Sequence, residues 1–258
     1  MALLFDASTE YINCGSASML DDLTTYSFVC WVKPTVAFAA VDTRWIYKKG
    51  DWGNGHDGFA LDINATPDVV LMQFRQRATT PLNVQSIQTA NLAVNKWSFL
   101  ASSINLNGVD TDQYLYIGYL NTIVSEVGAY ALRGVGSGTP VTNAAQNFIL
   151  GNNNAFTEPT DGAVGIAMIF NKQLSLGELR TLQFRPIPIS GCLGFWVLHG
   201  TGTQPDLSGN GNNGTVTGAT ITDHIPIGPP FGFDMGWMGA YSKLSIPVAM
   251  NQYRQRWA

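Results

Sequence analysis

Apolar residues in this chain come in short bursts separated by Gly, Asn, Pro and Asp, which is the rhythm of strands rather than of helices. The bursts predict strands over Leu3–Phe5, Tyr26–Val32, Trp45–Lys48, Phe59–Ile63, Val69–Phe74, Trp97–Ile104, Tyr114–Tyr119, Phe148–Leu150, Ala163–Phe170 and Phe195–Leu198. In Phe59–Ile63 the alternation is clean. Phe59, Leu61 and Ile63 fall on one side, Ala60 and Asp62 on the other, as in a strand with one face on a core and one in water. Tyr26–Val32 is apolar on both faces and is therefore expected centrally, covered on each side. Strands in that number bury enough surface for one large domain.

One stretch departs from the pattern. Ser175-Leu176-Gly177-Glu178 fits a capping box, in which the serine oxygen and the glutamate three residues on satisfy each other's free amides. Leu176, Leu179 and Leu182 follow at helical spacing, and Pro186 stops the turn. A single short helix packed on a β domain is expected.

Composition removes whole classes of function. The 258 residues hold 14 Lys+Arg and 18 Asp+Glu, a net charge of −4. Charged residues make up 12% of the chain, against ~25% in an ordinary soluble protein. There is no basic stripe to neutralise phosphates, so no nucleic-acid partner is expected. An aromatic share of 11% speaks against disorder. No apolar run approaches the ~20 residues of a membrane span, and no signal peptide is apparent; no membrane partner is expected. Cys14, Cys30 and Cys192 are odd in number and have no close pair, which argues against a disulfide framework or a zinc site. They read as small buried side chains of a protein made in a reducing cytoplasm.

Several stretches together resemble the laminin-G-like branch of the concanavalin A-like lectin/glucanase superfamily. Ala2-Leu3-Leu4-Phe5-Asp6-Ala7 with Glu10-Tyr11-Ile12 is similar to its "ALxFDG…DYV" strand. Tyr26 to Pro34 is similar to "FTISAWVKP", and Lys96-Trp97-Ser98-Phe99-Leu100-Ala101 to "KWTHVA". Ile149-Leu150-Gly151, Gly162-Ala163-Val164 and Ile169 to Ser175 resemble "IG…G.IDEVRIYNRALS". Phe195-Trp196-Val197-Leu198 and Asp206 to Val216 resemble "W.L…DLSGNGNNGTV", a segment that family members usually carry before the "FDG" strand rather than after it. The resemblance covers residues 1–222 and implies an all-β, antiparallel two-sheet jelly-roll sandwich in permuted strand order. Trp196-Val197-Leu198 is expected to pair alongside the N-terminal strand. Asn210-Gly211 and Asn213-Gly214 suit tight turns with positive φ, and Trp31 and Trp97 suit the core.

The catalytic chemistry of the glucanases is missing. Those enzymes use paired carboxylates on one strand, one to donate a proton and one to attack or activate water. Here Glu10, Glu126, Glu158 and Glu178 are scattered, and only Asp161 lies near Glu158. His56, His199 and His224 form no metal spacing, there is no Gly-x-Ser-x-Gly, and Gly134-Val135-Gly136-Ser137-Gly138 lacks the ending of a phosphate loop. No enzyme and no cofactor are expected. Calcium is the open case: the resemblance implies an acid at Asp6 and a second in the "G.IDEV" strand, but that place reads Gly165-Ile166, leaving Asp161 and carbonyls.

For a glycan the best loop is 51–57, where Trp52, Asn54, His56 and Asp57 combine a ring with hydroxyl-binding groups; a polar turn with Trp52 tucked inward is the alternative. Residues 223–258 are expected to form an extended Pro/Gly/aromatic C-terminal arm. Pro229, Pro230, Phe231, Phe233, Trp237, Tyr241, Tyr253 and Trp257 are candidate subunit-interface residues, unless the arm packs on its own domain. The combination resembles lectin-like accessory proteins of tailed bacteriophage particles. It implies a non-enzymatic virion protein, first a capsid decoration (cement) subunit, with major capsid or other virion proteins as partners and a homo-oligomeric state. A carbohydrate-binding adhesin of a phage tail or bacterial surface is the alternative, and a glycosidase comes last.

Overall fold

The computed structural model describes residues 1–6, 9–36, 42–51, 56–66, 69–76, 78–86, 92–153 and 158–227. Two eight-stranded antiparallel sheets face each other, with strands labelled β1 to β18 in chain order. The first sheet runs β11 (Thr122–Glu126), β10 (Tyr114–Tyr119), β9 (Ser98–Asn105), β3 (Thr25–Pro34), β15 (Gly162–Phe170), β1 (Ala2–Phe5) and β18 (Thr220–Thr222), with β16 (Cys192–Val197) also on β15. The second runs β12 (Tyr130–Arg133), β8 (Leu82–Ser86), β6 (Val69–Gln76), β5 (His56–Thr66), β4 (Asp42–Asp51), β14 (Phe148–Leu150), β2 (Tyr11–Asn13) and β17 (Thr215–Thr217). A short pair, β7 (Ala78–Thr80) with β13 (Ser137–Pro140), completes the set. This is the expected all-β jelly roll.

The period of two decides which side chains meet. From β3, Tyr26, Phe28, Cys30 and Val32 point between the sheets. Phe28 lies 3.8 Å from the Tyr47 ring of β4, Tyr47 lies 5.8 Å from Phe148 of β14, and Phe148 stacks at 5.6 Å on Trp196 of β16. This aromatic chain ties the sheets together, each ring removing a large apolar area from water. The opposite face of β3 is also covered, as its composition predicts. Trp31 is fully buried, packs edge-on against Phe99 at 5.5 Å, and donates its indole N–H to the Gln183 carbonyl at 3.0 Å. Gln183 belongs to α1 (Leu176–Phe184), the one α-helix among the described residues. Its start is the predicted capping box: the Glu178 N–H donates to Ser175 Oγ, and the Ser175 N–H donates back to Glu178 Oε2 at 2.8 Å.

Two expectations need correction. Phe195 to Val197 does not pair alongside β1. Both β16 and β1 pair with the same edge of β15, Val197 opposite Ile166 and Leu3 opposite Val164, so the two strands lie end to end. The strand beside β1 is β18, with Ala2 opposite Thr222. In the Asp206–Gly214 turn, positive φ falls on Gly209 and Gly211 but not on Gly214. Gly214 is required for space instead, because a Cβ there would lie 2.5 Å from Ile12 Cγ2. Cys14 and Cys30 are buried as expected, whereas Cys192 is only partly covered. The compact unit that holds the sandwich runs from Met1 to Ile227.

Candidate functional site

Two polar regions among the described residues differ in how their groups are paired. The first is the turn after β16. Asp206 accepts the Phe195 N–H and the Ser208 N–H on Oδ1, each at 2.9 Å, and the Asn212 N–H on Oδ2 at 2.9 Å. Trp196 Nε1 donates to the Asn212 carbonyl at 2.7 Å, and Asn212 Nδ2 donates to the Leu193 carbonyl at 2.7 Å. Every member is satisfied by another. The knot holds Trp196 in the core and offers nothing to a ligand.

The second is an open depression of about 590 Å3 where β3, β9 and β10 end, lined by Ala93, Asn95, Lys96, Trp97, Tyr119, Leu120 and Asn121. Its walls are two turns. Asn95, at φ 61, donates its N–H to the Pro34 carbonyl at the end of β3, and the Lys96 N–H donates to the Ala93 carbonyl. Leu120 and Asn121 form the hairpin turn between β10 and β11. That hairpin is fixed from behind by Gln183, a fully buried amide. Its Nε2 donates to the Tyr119 and Thr122 carbonyls, both at 2.8 Å, and its Oε1 accepts the Val124 N–H at 2.7 Å. Gly118 makes room for it, since a Cβ there would lie 2.7 Å from Gln183 Nε2. A charged or apolar residue at 183 would leave these three backbone groups unpaired.

Behind the depression, on the sheet face that points to the core beside Val32, two hydroxyls are unsatisfied. Ser98 Oγ and Tyr119 Oη, on directly opposed residues of β9 and β10, are buried and have no hydrogen-bond partner among the described residues. Burial raises the Tyr119 phenol above its ordinary value, so it remains a neutral donor. Lys33 Nζ sits over the Trp97 ring, 5.4 Å from its centroid. Arg44, Lys49, Arg133 and Lys172 each lie within 3.6 Å of a carboxylate oxygen, whereas Lys33 and Lys96 have no carboxylate partner among the described residues.

The acid positions are used differently from a metal site. Asp6 follows β1 and donates its N–H to Glu10 Oε2 at 2.6 Å. Asp161 Oδ2 lies 3.6 Å from the buried Arg44 Nε. Gly165 sits at the bulge of β15, and a Cβ there would meet Ile225 Cδ1 at 2.6 Å and Trp97 at 3.3 Å. The slot is apolar and filled by a buried isoleucine, which does not suit a hard cation. No group of three His, Cys, Asp or Glu suited to a metal occurs among the described residues. Glu126 accepts from Tyr130 Oη at 3.0 Å and pairs with Arg133; Glu158 accepts from Asn153 Nδ2 at 3.0 Å; Glu178 pairs with Lys172 at 2.6 Å. Each of these carboxylates fastens a turn or strand end.

The family model described as the concanavalin A-like lectin/glucanases superfamily matches residues 6–180. The chain belongs to this superfamily. Among solved structures, the lectin-like sandwich is similar to a candidate carbohydrate-binding protein from Bacteroides ovatus, with TM-score 0.62 and 15% identity over 88% of this chain and 61% of that one. It is also similar to the enzymatically active domain of tailspike protein 2 from bacteriophage CBA120, with TM-score 0.52 and 10% identity over 77% of this chain and 33% of the tailspike. The superfamily sandwich thus spans less than two thirds of either structure's length. No curated protein matches in sequence.

Of the residues singled out for glycan contact, Trp52 and Asn54 lie outside the described residues. The backbones of His56 and Asp57 begin β5, with His56 opposite Asp51. The candidate interface residues Pro229, Pro230, Phe231, Phe233, Trp237, Tyr241, Tyr253 and Trp257 also lie outside them. Sequence reasoning placed Trp97 in the core, where it is, but assigned nothing to Gln183 or Asn121. A glutamine beside Leu182 on the apolar face of the helix was the available signal.

Proposed function

We propose that this chain is a non-enzymatic structural and binding protein of a bacteriophage particle, and that its binding surface takes glycans. The observation that carries the reading is the contrast between fastened carboxylates and a depression that presents a lysine and two asparagine side chains to solvent. Hydrolysis of a glycosidic bond needs two acids free to act on it, whereas holding a sugar needs donors and a shaped wall. The likeness to a candidate carbohydrate-binding protein and to a phage tailspike domain supports the same reading at the level of fold.

Within a particle, the depression favours an adhesin of the tail or of a bacterial surface. The composition of residues 223–258 favours a capsid decoration subunit, a homo-oligomer whose arm engages major capsid or other virion proteins. On this organisation residues 1–222 form the sandwich and the arm follows it. The decisive experiment is a glycan array on the full-length protein, alongside Trp52→Ala and Asp57→Ala variants, with the copy number per particle from mass spectrometry. Glycan binding with a handful of copies supports the adhesin. Hundreds of copies, lost when the chain is cut after Ile227, support decoration. A protein that binds no glycan and joins no particle overturns both.

A further inference from the structure

The depression is more specific than a general sugar site. Lys96 lines it and Lys33 lies over the ring of its lining Trp97; neither has a carboxylate partner among the described residues of a chain of net charge −4, and no acidic residue is among the described residues that line it. Asn95 and Asn121 add two exposed side-chain amides on opposite walls, and Leu120, 37% exposed, offers an apolar surface beside the polar groups. A depression of about 590 Å3 is the size that holds one or two sugar rings.

We propose that this depression binds the carboxylate-bearing residue of an acidic glycan, such as a uronic or sialic acid unit. Lys96 takes the carboxylate through a charge-assisted hydrogen bond, and Lys33 over the Trp97 ring adds a second positive charge beside it. The amides of Asn95 and Asn121 take ring hydroxyls, and the apolar face of the ring lies against Leu120. A carboxylated sugar fits better than a phosphate ester, because the described residues that line the depression include no arginine fork, no glycine nest and no helix N-terminus. Lys33 is held over Trp97, and Trp97 is held by the Ile225 plug at Gly165, so one of the two cations is pre-positioned. The inference rests on the glycan-binding reading and narrows it to one sugar chemistry at one place.

The test titrates full-length protein with glucuronic, galacturonic and N-acetylneuraminic acid glycosides. Each is compared with its uncharged counterpart and with sodium acetate and inorganic phosphate, and binding is followed by calorimetry and by the side-chain amide signals of Asn95 and Asn121. At least one acidic glycoside is expected to bind and to shift those amides, while its neutral counterpart binds about tenfold or more weakly. Lys96→Gln is expected to weaken the acidic ligand about tenfold, Asn121→Ala less, and raised salt should weaken it further, all with unchanged thermal unfolding. Binding of acidic sugar that is indifferent to Lys96→Gln but lost in Trp52→Ala would overturn this inference and leave the glycan-binding reading standing. Equal binding of acetate or phosphate would also overturn it, showing an unspecific anion site. If neither acidic nor neutral glycans bind at all, the broader reading falls with it.

Discussion

The Asp206 turn and the Asn95–Asn121 depression are both polar, and they differ in one respect. In the turn, one carboxylate accepts three backbone amides and two asparagines close the remaining bonds. At the depression, the lining Lys96 and the neighbouring Lys33 lack a carboxylate partner among the described residues, and Asn95 and Asn121 are exposed. The difference teaches that richness in Asn, Asp and Gly is not by itself a sign of a ligand. A satisfied network has spent its donors on the fold, whereas an unsatisfied one still has them to give.

That contrast can be broken by mutation. Asp206→Ala leaves the buried amides of Phe195 and Asn212 without an acceptor and should cost about 3–5 kcal/mol in urea unfolding, the largest effect expected. A loss below about 1 kcal/mol would show that the knot holds little. Gly165→Val drives a side chain into the space of Ile225 and should cost about 1–3 kcal/mol, with faster proteolysis after residue 222 as a second readout. Lys96→Gln and Asn121→Ala alter only exposed side chains and should stay within about 0.5 kcal/mol of the parent in the same assay. A large destabilisation there would make the depression structural and end the contrast.

The pH dependence sharpens the picture further at the root of the arm. Burial chiefly lowers the His224 pKa below its ordinary value, with the N-terminal amine and His199 acting in the same direction and the Ile225 carbonyl opposing them. Because the folded state disfavours the charged imidazole, its contribution is fully present above about pH 6.5 and is lost progressively as pH falls below that. His224→Gln should flatten the stability profile between about pH 6.5 and 5, a small effect seen by thermal melts; an unchanged slope would count against it.

The ten predicted strands and the helix were legible because each carries enough apolar residues to show its period. Eight short strands were not. Thr122–Glu126 exposes every residue but Val124, and Thr215–Thr217 and Thr220–Thr222 hold one apolar residue each, too few for alternation to register. The depression was hidden for a different reason. Lys33 of β3, Trp97 just before β9 and Tyr119 of β10 are brought together only by register, with Val32 and Tyr119 on either side of Ser98. Gly214 shows the remaining gap between levels: its need to be glycine was visible, but the reason is the methyl of Ile12, two hundred residues away in the chain.

Thr222 lies hydrogen-bonded opposite Ala2, and the tip of β16 abuts the start of β1 along β15. A two-residue linker from Asp223 to Met1 would therefore turn β18 and β1 into an ordinary hairpin, and the backbone could be reopened at an exposed loop such as Gly128 with every strand pairing kept, at the cost of the Ile225 plug. In this sandwich the point of entry for the polypeptide is a matter of covalent routing, and the architecture is indifferent to it.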